Sequence, residues 1–103
     1  MGSLIAGKTM DIQKAFGMAV KLKRTELGMS QEMLADAAGK ARSFVSAVER
    51  GATAASLTSI WELAQTLETK PSDLWLVAER LYETASGSKK GVSRKQAPDD
   101  MPA

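Results

Sequence analysis

The chain of 103 residues contains no cysteine and no histidine. Without cysteine there can be no disulfide, no thiolate metal ligand and no cysteine nucleophile. Without histidine the commonest general base and metal ligand is gone. The remaining carboxylates, lysines, serines and single tyrosine form no paired or phosphate-cradling arrangement. An enzyme is therefore not expected, nor a metal or cofactor. Long apolar runs are also missing: none approaches the roughly 20 residues that a membrane span requires. The opening MGSLIAGKTM has one lysine but no long apolar core, so it makes a poor signal peptide and a cytoplasmic location is expected. An excess of either charge is lacking too. The net charge is +2, and between Met10 and Trp75 eight basic residues face eight acidic ones. Bulk electrostatics alone do not point to nucleic acid.

What is present fits one small domain with a modest core. Hydrophobic residues make up 44% and charged residues 25%, so the chain is neither disordered overall nor fibrous. Asp11 can cap a first helix running to Leu27, with Ile12, Phe16, Ala19, Val20 and Leu27 as its buried stripe, and Gly28 ends it. Ser30 can cap a second helix at about 31–38 whose apolar face is Met33, Leu34 and Ala37, with Glu32 in its first turn. Gly39 can take the left-handed conformation that turns the chain. A third helix at about 41–50 buries Val45 and Val48 and stops at Gly51. Ser56 caps a fourth, marked by Leu57, Ile60, Trp61, Ala64 and Leu67. Pro71 opens a fifth, with Leu74, Trp75, Ala78, Leu81 and Tyr82 along one side to about Ala85. The expected organisation is a flexible N-terminus over 1–9, a helical domain over 10–85 and a disordered basic tail over 86–103. Two short helices joined by a tight turn, as at Ser30–Gly51, form the helix-turn-helix unit, whose second helix is built to lie in a DNA major groove.

The ordered set of Arg24, LGMSQ (Leu27–Gln31), Leu34-Ala35, Gly39, RSFVS (Arg42–Ser46), VERG (Val48–Gly51) and the SL…LA..L pattern of the fourth helix resembles the lambda-repressor/Cro-like (Xre-type) helix-turn-helix domains over roughly 16–75. The resemblance implies an all-α, five-helix fold and double-stranded DNA as partner. It also implies roles. Gln31, in the first turn of the second helix, meets a phosphate or helps to cap the helix. Arg42 and Ser43 open the recognition helix; Arg42 donates to guanine, or stays a solvated or phosphate-contacting charge. Ser46 and Ala47 continue the exposed face. Phe44 either packs on the second helix or lies against the sugar-phosphate backbone. Arg50 reaches a phosphate or is an idle surface charge. Arg24 and Glu49 are expected to pair as a structural lock, not as DNA contacts.

Three positions depart from the family pattern. Lys40 stands at a commonly apolar turn position and is counted with the DNA-facing set. Ala41 replaces the usual Ser or Thr cap. The loop ATAAS lacks basic residues, which leaves backbone amides and Thr53 for phosphate. The function implied is a sequence-specific transcriptional regulator, a repressor, reading an inverted repeat as a homodimer. Trp75, Ala78, Leu81 and Tyr82 are the expected dimer surface, although Leu74, Trp75 and Ala78 could instead close the core. The tail's Lys89, Lys90, Arg94 and Lys95 either add charge for DNA or form a solvated tail. The competing readings are a protein-interaction module on the same fold and an antitoxin whose tail folds on a protein partner, a toxin.

Overall fold

The computed structural model describes residues 10–85. These residues form five helices and no strand: α1 Ile12–Glu26, α2 Gln31–Ala38, α3 Arg42–Arg50, α4 Leu57–Thr66 and α5 Pro71–Ala85. The expected flexible start at 1–9 and basic tail at 86–103 lie outside the described residues. Local chemistry sets most helix ends. The side chains of Asp11, Ser30 and Ser56 accept hydrogen bonds from the backbone N–H groups of Lys14, Met33 and Ser59, satisfying donors that a helix start leaves open. Ala41 has no such side chain, so α3 begins uncapped. Its carbonyl still accepts from the amides of Phe44 and Val45.

The core gathers Ala15, Phe16, Ala19 and Val20 of α1, Leu34 and Ala35 of α2, Val45 and Val48 of α3, Leu63, Ala64 and Leu67 around α4, and Leu74 and Ala78 of α5. The long helix α1 packs on both α3 and α5, while α2 packs on α3 and α4. The first helix thus ties α3 to the last helix of the domain.

Several expected core positions are corrected. Ile12 and Leu27 are both 38% exposed, at the first residue of α1 and just beyond its last. On α2 the buried face is Leu34, Ala35 and, in part, Ala38, while Met33 and Ala37 face outward. Apolar residues stand on both sides of that helix, and packing against α3 and α4 selects one of two adjacent registers. On α4, Leu63 is buried in place of Leu57 and Trp61, which are 85% and 58% exposed. On α5, Ala78 is fully buried and Leu81 packs partly buried against the core. Ala78 therefore leaves the expected dimer surface, Leu81 is shared between the core and the surface, and Trp75 and Tyr82 stay exposed.

α1 crosses closely over the end of α3. A Cβ built at Gly17 would lie 2.1 Å from the carbonyl oxygen of Val48 and 2.8 Å from that of Glu49. At Gly51, in the left-handed region at φ +76°, a Cβ would meet the Lys14 Cα at 2.7 Å. Both obstacles are backbone, which cannot rotate away. Gln13 adds a hydrogen bond from its side-chain amide to the Gly51 carbonyl at 3.3 Å. A glycine inside a helix costs about 1 kcal/mol relative to alanine, so Gly17→Ala would stabilise α1 if space allowed. Here the clash outweighs that gain. Gly17→Ala is expected to destabilise the domain by about 1–3 kcal/mol, whereas exposed Leu22→Ala on the same helix changes stability by less than about 0.5 kcal/mol. Thermal denaturation of the two variants checks the contrast.

Candidate nucleic-acid interface

Glu49 is the one buried charged residue among those described. Its carboxylate accepts three N–H groups. Arg24 Nε donates to Oε2 at 2.6 Å, Arg24 Nη2 to Oε1 at 2.9 Å, and Gln31 Nε2 to Oε1 at 2.9 Å. The other guanidinium nitrogen, Arg24 Nη1, donates to the Met29 carbonyl at 2.8 Å. Arg24 lies two turns beyond Gly17, and helical side chains lean toward the helix N-terminus, so it can reach back to the crossing. One cluster therefore ties α1, the α1–α2 connection, the start of α2 and the end of α3. The side chains of Arg24 and Glu49 are only 12% and 3% exposed. The hydrogen bonds from Arg24 to Glu49 raise the arginine pKa; burial opposes this, and the nearby negative charge adds to the rise. A cation whose folded pKa is raised stabilises the fold at every pH below its unfolded value, and loses that contribution only as pH climbs through the folded one. That window lies far above the working range, so Arg24 remains charged throughout.

This cluster fixes how α3 is presented. Arg42 and Ser43 are exposed in its first turn, Ser46 and Ala47 are half-buried further along, and Arg50 is exposed at its end, with Nε donating weakly to Ser46 Oγ at 3.4 Å. Its nine residues make a rod about 10–12 Å across with side chains, a diameter that a major groove about 12 Å wide can admit. Gln31 stands at the first residue of α2, close to the same face. One N–H of its amide is held by Glu49, and an amide nitrogen carries two.

Three other expected DNA-facing residues have neighbours within the fold. Lys40 pairs with Glu62 of α4 at 2.5 Å, and its ammonium sits 5.8 Å from the centre of the Phe44 ring. The turn lysine is thus committed to a link between the α2–α3 turn and α4. Phe44 is partly buried and packs against the core. Thr53 lines an apolar pocket with Ile12, Phe16, Ala54, Ala55, Ile60 and Trp75. Sequence reasoning missed Gly17, Glu62 and the Gln31–Glu49 bond. Only Gly17 left a signal, as a glycine inside an otherwise regular helical pattern.

Among the described residues no cluster of carboxylates could hold a metal ion, and no helix is long and apolar enough to cross a membrane.

A family model described as helix-turn-helix matches residues 20–74, more than half of the chain. Comparison with curated protein sequences gives no match. Among solved structures, the chain is similar to the restriction-modification controller protein C.AhdI from Aeromonas hydrophila. The two are 42% identical, with 60% of this chain and 94% of that one covered and a TM-score of 0.59. It is also similar to a point mutant of the restriction-modification controller protein C.Esp1396I, at 25% identity, coverage of 67% and 87%, and a TM-score of 0.63. The clp gene regulator ClgR from C. glutamicum shares the fold, at 22% identity, coverage of 72% and 95%, and a TM-score of 0.70.

The buried cluster generates a stability expectation. Removing one partner of a buried ion pair typically costs about 3–5 kcal/mol, a large share of the roughly 5–15 kcal/mol that holds a small domain together. Arg24→Ala and Glu49→Ala should each lower the melting temperature strongly, and the double variant should lose less than the sum of the two. A double-mutant cycle by chemical denaturation measures this, and zero coupling contradicts the pairing.

Proposed function

The chain belongs to the helix-turn-helix family, and from that premise we propose that it is a transcriptional regulator which binds double-stranded DNA with α3 in the major groove. The observation that carries this reading is the fixed presentation of α3. Its inner side is packed, its end is locked through Glu49, and its outward side offers Arg42 and Ser43 to solvent. Arg42 can donate two hydrogen bonds to a guanine edge, and Ser43 can serve either base. Ser46 and Ala47 extend the same side, where Ala47 can meet a thymine methyl group. The second N–H of Gln31 and the open amides at the start of α2 suit a backbone phosphate, which positions the protein without reading sequence. Two of the similar structures are controller proteins of restriction-modification systems, which supports a regulatory role.

One recognition helix reads only a few base pairs, so useful specificity calls for a two-fold dimer on an inverted repeat. Trp75 and Tyr82 support such an interface: seven positions apart, they share one side of α5 and are 43% and 40% exposed. Trp75 also borders the apolar pocket formed with α1, α4 and the loop before α4. Leu57 and Trp61, exposed one turn apart on α4, favour a second reading, a protein-interaction module on the same fold. That reading predicts no steep salt dependence of duplex binding.

Selection of bound sequences from a random duplex pool tests the function itself. On the selected duplex, Arg42→Ala is expected to cost about 1–3 kcal/mol and to relax preference at one position. Gln31→Ala should weaken selected and random duplexes by the same factor. An equal loss for Arg42→Ala on both duplexes would reassign Arg42 to phosphate. In sedimentation at micromolar concentration the wild type should be a dimer and Trp75→Gln a folded monomer. A monomeric wild type rules the interface out.

A further inference from the structure

Apart from Arg42, Lys70 and Arg80, the cations of the described residues separate into two groups. Lys23, Arg24 and Lys40 are held in ion pairs with Glu26, Glu49 and Glu62. Lys14, Lys21 and Arg50 take part in no ion pair among the described residues. These last three line a single groove, completed by Met18, Gln31 and Glu49, between α1, the start of α2 and the end of α3. Lys14 and Lys21 are both exposed. Seven positions apart, they project from the same side of α1, two turns from one another. The one carboxylate in the groove, Glu49, is already covered by the three N–H groups of Arg24 and Gln31. The groove is therefore cationic although the domain as a whole is near neutral. It also adjoins Gln31, away from the α4 packing of Lys40.

We propose that this groove is a second seat for the DNA backbone, in which Lys14, Lys21 and Arg50 bind phosphates flanking the bases read by α3. The proposal rests on the DNA-binding function above and extends its footprint beyond the major groove. Flexible ammonium groups beside a guanidinium suit phosphates, which need charge without a fixed fork geometry. Such phosphate binding releases counterions, so it governs the salt dependence of affinity and not its sequence preference.

The test uses the full chain carrying Lys14→Gln and Lys21→Gln together. A charge-matched control carries Lys70→Gln and Arg80→Gln, neither of which lines the groove. Fluorescence anisotropy follows binding to a mixed-sequence duplex and to the selected duplex across a salt series. The groove variant should show a slope of log affinity against log salt reduced by about 2, at roughly 0.9 for each phosphate that is no longer neutralised. Both duplexes should weaken by similar factors, melting should be unchanged, and the control should keep the wild-type slope. A wild-type slope in the groove variant, or an equal reduction in the control, overturns the proposal while leaving DNA binding intact. A wild type without salt-dependent duplex binding overturns the function and the groove together.

Discussion

The structure depends on the carboxylate of Glu49, buried at the end of α3 and satisfied by three N–H donors from two other helices. A buried carboxylate is costly unless it is paired and hydrogen-bonded. Here the geometry meets that demand, with both oxygens occupied and the remaining guanidinium nitrogen placed on a backbone carbonyl. The arrangement exists only because α1 and α3 approach closely enough, and the approach depends on two residues without a Cβ. Gly17 admits the Val48 and Glu49 carbonyls, and Gly51 admits the Lys14 backbone. Steric permission and ionic locking act on the same crossing. Apolar burial alone would hold α3 against the core but would leave its tilt softer, because hydrophobic contact is non-directional. The hydrogen bonds supply the direction.

The division of the cations explains how a near-neutral domain can present a basic face. Each of Lys23, Arg24 and Lys40 meets a glutamate, and these pairs serve the fold. Lys40 joins the turn between α2 and α3 to α4 and covers the Phe44 ring. Sequence charge counts weigh all cations equally. The structure distinguishes those consumed by internal pairs from Lys14, Lys21, Arg42 and Arg50, which are exposed along α1 and α3 with no ion pair among the described residues.

The five helices were legible in the sequence because their caps and stops are local: Asp11, Ser30 and Ser56 begin helices, while Gly39 and Gly51 end them in the left-handed region. The partnership of Arg24 with Glu49 was legible only through resemblance, since nothing within either helix reveals a partner 25 positions away. Burial was less legible wherever a helix carries apolar residues on two sides. Met33 against Ala35, and Trp61 against Leu63, are decided by which neighbour arrives, not by periodicity. Ala78 and Leu81 illustrate the same limit on α5, where one apolar stripe serves both the core and the surface. Glu62 gave no sign of its role, because its partner comes from a turn that sequence pattern treats as solvent-facing.

The central claim is that α3 is held in its working orientation before any DNA arrives. Nuclear magnetic resonance of the Arg24 Nε–H, with and without the selected duplex, tests this most directly. The account predicts a slowly exchanging, hydrogen-bonded Nε–H in the free protein whose resonance stays in place on binding, while the amides of Arg42, Ser43 and Ser46 shift. A rapidly exchanging Nε–H in the free protein that becomes protected only with the duplex would contradict it, because the lock would then be made by DNA and not by the fold.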